Sequence, residues 1–556
     1  MNKAHYKGLS RPLLETTIGE HLASVATAQP DHPALIVRHQ DIRWSYSTFL
    51  TEVDSLAAGL LDIGIETGDR VGIWAPNCVE WVLTQFATAR IGAILVCVNP
   101  AYRIYELEYA LNKVECKALV TAEQFKSSHY LDMLNELAPE LQDSAAGELR
   151  SEKLPHLQSV IRTGDDKSPG MFNFGEICKR GQGNRERLAG ISATLKADDI
   201  VNIQFTSGTT GNPKGAALTH KGILNNAYFN GIKMRFSPDD RLCIPVPLYH
   251  CFGMVMGTLA CVAHGAKMVL PAESFEPEAT LLSVQEEQCT ALHGVPTMFF
   301  AELNLPTRTE YDLSSLRTGM IAGATCPEDL MKRLIAEMNL SEVVIAYGQT
   351  ECSPVNHATD IDDSFEQRTS TVGRPHDNWE VKIIREDGST AHVNEIGEVC
   401  ARGYGVMACY WGDPERTEET IDEEGFLHSG DLGTMDELGF VKITGRIKDM
   451  VIRGGENIYP REIEEFLCLH PAIDDAQVFG VPDEKYGEQL AAWISPSPEH
   501  TLTEDEVRDF CRDKIAHYKI PHYIKFVDEY PMTVTGKIQK FVMRNQYSRE
   551  LGLTDG

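Results

Sequence analysis

Residues 200–214 read IVNIQFTSGTTGNPK. Val201, Ile203 and Phe205 alternate onto one face, the period of a strand, and the chain then runs into small hydroxylated residues and glycines closed by Lys214. Gly208 and Gly211 permit backbone angles that other residues avoid, so successive N–H groups can converge on one anion. Thr206, Ser207, Thr209 and Thr210 add hydroxyls, and Lys214 adds a point charge. A strand delivering such a loop to a sheet edge suits polyphosphate binding, while the composition by itself suits a flexible surface linker equally well. The segment lacks the Gly-Lys-Ser/Thr ending of a Walker loop, since Pro213 precedes the lysine and Gly215 follows it. That disfavours a P-loop kinase or GTPase.

Working outward, a helix period over Ser47 to Ile63 alternates with β-rich runs at Arg70 to Trp74 and Ile94 to Val98. This recurrence predicts an α/β architecture. Residues 137–190 are polar and rich in Gly, Ser, Asp and Glu, which reads as a long surface excursion. A break falls near residue 445, where GRIKDMVIRGGENIYP crowds glycines and charges. Beyond it come a helix pattern over Arg461 to His470, strands over Ala476 to Val481 and Gln489 to Ile494, and a helix over Glu504 to Ile515. The expectation is a large N-terminal domain over 1–445, built of mixed, largely parallel sheets with helices, and a small α+β C-terminal domain over 446–556.

The chain has 556 residues, too many for one core. Its formal charge of −30 argues against a nucleic-acid binder, which needs a basic surface. Fourteen cysteines occur without a CxxC pair and in apolar contexts such as Val96-Cys97-Val98, which suggests buried thiols in a reducing compartment. The first residues, MNKAHYKGLSRPLLETT, lack the apolar core of a signal peptide. The most apolar stretch, Gly253 to Leu270, is broken by His264 and Lys267, so no transmembrane segment is expected. A cytoplasmic location is the default reading.

Five motifs follow in order: TSGTTGNPKG, AYGQTE at 346–351, HSGDLG at 428–433, GRIKDMVIRGGENIYPREIE at 445–464 and TVTGKIQK at 533–540. Together they resemble the adenylate-forming (AMP-binding) superfamily of acyl-CoA synthetases, firefly luciferases and peptide-synthetase adenylation domains. The match runs from about residue 15 to 545. The resemblance implies that Tyr347 packs on adenine, with Gly323 and Ala324 forming the opposite wall. Thr350 would reach the α-phosphate, and Glu351 would hold Mg2+, a cation that prefers hard oxygen donors. Asp431 would accept the ribose hydroxyls, Arg446 would contact ribose or phosphate, and Lys537 would approach the α-phosphate and carboxylate as negative charge builds.

The implied reaction has two halves. A carboxylate attacks ATP to give an acyl-adenylate and pyrophosphate, and the thiol of coenzyme A then displaces AMP. In the family the small domain is mobile and swings about a hinge matched here by Lys448, which brings the loop of Arg453, Gly454 and Gly455 to the site for the pantetheine arm.

The acid can be read in part. Acetyl-CoA synthetases carry a tryptophan where Gly348 stands, so the pocket floor is expected to be open. The segment PLYHCFGM, with Leu248, Tyr249, His250 and Cys251, offers no carboxylate for an amino-acid substrate, and His250 resembles a gate near the substrate carboxylate. Phe252 to Leu259, with Val295, Met298 and Phe299, is apolar enough to line an acyl channel. With about 0.8 kcal/mol gained per buried CH₂, a medium- to long-chain fatty acid leads. The resemblance is to medium-chain fatty acyl-CoA synthetases. The alternatives are an aryl-acid ligase of the coumarate or benzoate kind and a non-catalytic nucleotide-binding relative. The expected partners are fatty acid, ATP and coenzyme A, with no nucleic acid, and a homodimer is left open.

Overall fold

The computed structural model describes residues 2–183, 185–206, 213–324, 326–454, 456–497, 502–512, 514–533 and 538–553, without the side chains of Arg185 and Glu186. By packing, residues 7–380 and 402–427 form one compact unit, and residues 1–6, 381–401 and 428–556 form a second. The break expected at 445 therefore falls inside the second unit.

The larger unit is built on two sheets. In the eight-stranded sheet, Met171–Asn173, Ser159–Arg162, Ala118–Thr121, Arg70–Trp74, Ile94–Cys97 and Ile200–Thr206 lie side by side and parallel. Ile94–Cys97, Ala118–Thr121 and Ser159–Arg162 are buried at every position. Such continuous burial is what a parallel sheet requires, because helices cover both of its faces. Beyond Ile200–Thr206 the pairing turns antiparallel, through Lys214–Thr219 to Cys409–Tyr410. The nine-stranded sheet has a parallel centre of Glu342–Gly348, Thr318–Ile321, Ala291–Gly294, Arg241–Cys243, Lys267–Leu270 and Pro33–Val37, flanked by antiparallel strands. The α/β reading holds, with strands and helix near the expected bounds: Arg70–Trp74 to the residue, and the helix at Tyr46–Asp62.

Residues 137–190 differ from expectation. They supply the edge strand Met171–Asn173, its inner neighbour Ser159–Arg162 and the helix Phe174–Gly181, which packs on the helix Tyr46–Asp62. The two helices meet backbone to backbone. A Cβ on Gly59 would lie 2.1 Å from the Ile177 carbonyl oxygen, and one on Gly181 would lie 1.9 Å from that of Ser55. Leu141, Leu149, Leu154 and Leu157 are each 3% exposed or less, and these few anchors are diluted in an average over a polar stretch.

In the second unit one sheet holds His5–Lys7, Trp379–Ile384, Gly397–Gly403, Leu427–Met435 and Val441–Arg446, whose ends at Lys7, Trp379, Glu380, Arg402, Gly403 and Leu427 belong to the larger unit. The other joins Glu456–Ile458, Val451–Arg453, Gly487–Pro496, Ile473–Asp483 and Tyr523–Phe526. Helix Pro460–Leu467 lays Ile463 and Leu467 onto Val478, Leu490 and Ile494. Helix Glu504–Cys511 starts at a capping box of Thr503 and Glu506 and stops short of the expected Ile515. On the opposite face Trp493 meets Phe479 and Tyr547 edge to face, at 6.1 and 5.9 Å.

Candidate active site

The opening segment is a hairpin. Thr206 and Lys214 face each other across the antiparallel pair, beside the edge of the parallel set. Between them in sequence, Ser207, Gly208, Thr209, Thr210 and Gly211 lie outside the described residues, as do Gly455 and Lys537. Lys214 is described. Its ammonium donates to the Tyr410 hydroxyl at 3.0 Å, and the nitrogen lies 4.3 Å from the centre of that ring.

The residues that the resemblance assigns to adenine lie at the carboxyl ends of neighbouring parallel strands, where α/β sheets place their ligands. Val295 follows Ala291–Gly294, Gly323 and Ala324 follow Thr318–Ile321, and Tyr347 is the penultimate residue of the strand Glu342–Gly348. Gly323 has φ +85°, and a Cβ there would come within 3.3 Å of Val295 Cγ1. Gly323 and Ala324 are exposed. Tyr347 is half-buried, its ring 5.6 Å from that of His357 in an edge-on arrangement. Burial lowers the His357 pKa to about 3, so the tyrosine packs on a neutral imidazole.

Thr350 and Glu351, which the resemblance assigns to phosphate and Mg2+, lie in the short turn Thr350–Cys352. Glu351 is 8% exposed, and its Oε1 accepts from the Tyr410 hydroxyl at 2.6 Å. Asn226, on the helix His220–Lys233 that follows the hairpin, clamps this turn. Its amide donates to the carbonyls of Val355 at 2.7 Å and Cys352 at 3.2 Å, and its oxygen accepts from Val355 N at 3.1 Å. Thr350 Oγ1 is 3.5 Å from Cys251 Sγ, so the second motif touches PLYHCFGM. Burial raises the Cys251 thiol to about 12 and keeps it protonated at neutral pH.

His250 is the N-cap of the turn Cys251–Gly253, its Nδ1 accepting from Phe252 N at 3.1 Å. The neighbouring apolar run is core. Phe252, Met254, Val255, Met256, Leu259, Met298 and Phe299 are between 0% and 8% exposed, with Met254–Leu259 wound as a π-helix and Val295 half-buried against them. A Cβ on Gly348 would lie 2.1 Å from the Pro354 carbonyl oxygen and 3.0 Å from Val355 Cα. Close backbone approach is therefore a second reason for glycine, one that the comparison with acetyl-CoA synthetases could not reveal.

In the second unit Asp431 and Arg446 are register partners on Leu427–Met435 and Val441–Arg446. Arg446 Nε is 3.0 Å from Asp431 Oδ1, and Asp431 is 5% exposed. The turn before Asp431 is held by Glu398, whose Oε1 accepts from Gly430 N at 2.9 Å while Oε2 lies 2.9 Å from His428 Nδ1. Cys400 Sγ is 3.7 Å from the same nitrogen. Lys448 is exposed on the turn Ile447–Asp449. Gly454, at φ +61°, donates its N–H to the Tyr486 carbonyl at 2.8 Å, and the Arg453 guanidinium stacks on the Tyr486 ring at 4.3 Å. Tyr410, Asn226 and Glu398 were not singled out by the sequence. Only their pairing with motif residues marks them, and that pairing is long-range.

A nucleotide-type hairpin, strand ends presenting an aromatic and two small residues, and a buried acidic turn define an α/β enzyme with a nucleotide site. The chain belongs to the AMP-binding enzyme family, and within it to the acyl-CoA synthetases: residues 22–411 match AMP-binding enzyme and residues 462–537 match AMP-binding enzyme C-terminal domain. It is 47% identical over 538 residues to the YngI protein of Bacillus subtilis (strain 168), covering 96% of this chain and 97% of that one. It is 45% identical over 548 residues to the medium-chain acyl-CoA ligase ACSF2, mitochondrial, of Bos taurus, covering 97% and 89%. Among solved structures, that of the anthranilate CoA ligase AuaEII in complex with anthranoyl-AMP superposes with a TM-score of 0.84 at 25% identity, covering 98% of this chain and 99% of that one.

Proposed function

We propose that the protein is an ATP-dependent fatty acid–CoA ligase acting on medium- to long-chain acids. The observation that carries this is the contact of Thr350 with Cys251, at 3.5 Å, where the α-phosphate motif meets the segment assigned to the acid. The relatives named as medium-chain acyl-CoA ligases support the chain length. An oxygen of the fatty carboxylate bonds to the α-phosphorus, and the bond from that phosphorus to the bridging oxygen breaks, releasing pyrophosphate. The coenzyme A sulfur then bonds to the acyl carbon while the carbon–oxygen bond to AMP breaks, and the thiol proton leaves to solvent. The protonated Cys251 takes no covalent part.

The hairpin 206–214 holds the β- and γ-phosphates, Tyr347, Gly323 and Ala324 hold adenine, and Asp431 with its partner Arg446 takes the ribose hydroxyls. Lys537 meets the charge at the α-phosphate. Residues 446–556 act as a mobile lid about Lys448, and Gly454 and Gly455 admit the pantetheine arm. His250, by capping Cys251–Gly253, sets the backbone beside the carboxylate. The Glu351 carboxylate, a buried hard donor with one oxygen fixed by Tyr410, fits Mg2+, which takes one or two carboxylates together with phosphate oxygens. Bound there the ion would neutralise phosphate charge. A cytoplasmic location is supported by fourteen cysteines in thiol form.

Pyrophosphate release with octanoate, palmitate and cinnamate at matched concentrations, with coenzyme A present, tests the reading. Octanoate or palmitate should give the highest kcat/KM. The resemblance to an anthranilate ligase favours an aryl acid as the second reading, and preference for cinnamate would establish it. No pyrophosphate exchange with any acid would leave only a nucleotide-binding relative.

A further inference from the structure

The geometry points to Tyr410 as a positioning residue for the Glu351 carboxylate, completing a chain of Lys214, Tyr410 and Glu351 that ties the phosphate-loop hairpin to the metal ligand. This rests on the reading of Glu351 as the magnesium ligand. The Tyr410 hydroxyl does two things at once: it donates to Glu351 Oε1 at 2.6 Å and accepts from Lys214 Nζ at 3.0 Å. A short O–H···O⁻ bond from a phenol, supported by a cation on the same oxygen, is of the charge-assisted kind. It fixes which carboxylate oxygen is committed to the protein, as outer partners of metal ligands do.

The phenol is itself held. Tyr410 is 3% exposed and pairs with Ala216 on the strand that leaves the phosphate loop. Its N–H donates to Thr417 Oγ1 at 2.9 Å, and the next N–H, that of Trp411, donates to the Gly215 carbonyl at 2.8 Å. The acidic turn is tied to the same segment, because Met407 N donates to the Glu351 carbonyl at 2.8 Å. Both ends of the hydrogen bond are thus anchored to one short β-ladder, and the carboxylate cannot rotate without breaking it.

Tyr410→Phe removes the one oxygen and keeps the ring beneath Lys214. Mn2+ binding to the full-length protein with α,β-methylene-ATP, read by electron paramagnetic resonance, should weaken about 10- to 100-fold. The Mg2+ concentration for half-maximal pyrophosphate exchange should rise in proportion, with kcat at saturating Mg2+ within about threefold of the parent. Unchanged Mn2+ affinity in a Tyr410→Phe protein with the parent melting temperature would overturn the proposal. Lys214→Met tests the chain from its other end and stands even if Tyr410→Phe does not fold. It removes the cation that supports the phenol–carboxylate bond, so at saturating α,β-methylene-ATP Mn2+ affinity should fall about 3- to 10-fold, less than in Tyr410→Phe, while KM for ATP rises more than tenfold, and an unchanged Mn2+ affinity would show that the chain does not reach the carboxylate. Loss of Mn2+ affinity as great as in Glu351→Gln would show that the phenol is not what positions the carboxylate. Glu351→Gln separates the two levels: if it leaves Mn2+ affinity intact the metal reading itself fails, whereas an effect there with none in Tyr410→Phe sinks only the role given to Tyr410.

Discussion

A carboxylate attacking a phosphate meets like charge, and the cation assigned to relieve this is Lys537. Lys537→Ala should lower acyl-adenylate formation by the equivalent of about 3–4 kcal/mol, some two to three orders of magnitude, while thioester formation from supplied acyl-adenylate stays within about threefold. Equal loss in both half-reactions, followed by pyrophosphate exchange and by thioester release, would remove the assignment. Gly348 makes a different point at the same scale. Because a Cβ there falls 2.1 Å from the Pro354 carbonyl oxygen, Gly348→Ala should destabilise the protein by about 1–3 kcal/mol and raise KM for ATP through the adjoining Tyr347. A melting temperature equal to the parent's would show that the backbone at Pro354 and Val355 yields without strain.

Among elements, the helix His220–Lys233 does more than follow the antiparallel pair of Ile200–Thr206 and Lys214–Thr219. Through Asn226 it satisfies the backbone of residues 352–355 and so holds the turn that carries Glu351. Asn226→Leu leaves one N–H and two carbonyls without that partner. The expected cost is about 2–4 kcal/mol, read as a lower urea midpoint at constant m-value, together with a higher KM for MgATP. An unchanged midpoint would assign the turn's order to other contacts. Legibility also varied element by element. The runs IVNIQF and RVGIW show their strand character in alternation or continuous apolarity, and both form where expected. Residues 137–190 hide theirs, because single leucines and a Gly59–Gly181 crossing, rather than a periodic stripe, hold them in place.

At the scale of the whole molecule, the larger unit buries four histidines in neutral form. Burial lowers His220 and His293 to about 4, and His357 and His376 to about 3. In the unfolded chain a histidine takes its proton near 6.5, so between there and the folded values the unfolded state binds more protons. The stability these groups contribute is fully present above pH 6.5 and is lost as pH falls toward 4, at up to about 1.4 kcal/mol per pH unit for each histidine. Urea midpoints should therefore drop between pH 7 and pH 5, and a flat profile would mean that the imidazoles take up protons without unfolding. By itself the sequence determined the α/β class, the strand that leads into the Gly/Thr-rich segment and the five motifs, because strand periodicity and motif order are properties of neighbouring residues. Tertiary structure alone decided that Tyr410 joins Lys214 to Glu351, that Asn226 clamps the acidic turn, and that residues 381–401 and 428–445 pack with the C-terminal residues. Those outcomes depend on which distant side chains the sheets bring within hydrogen-bonding reach, and no local pattern in the chain encodes that distance.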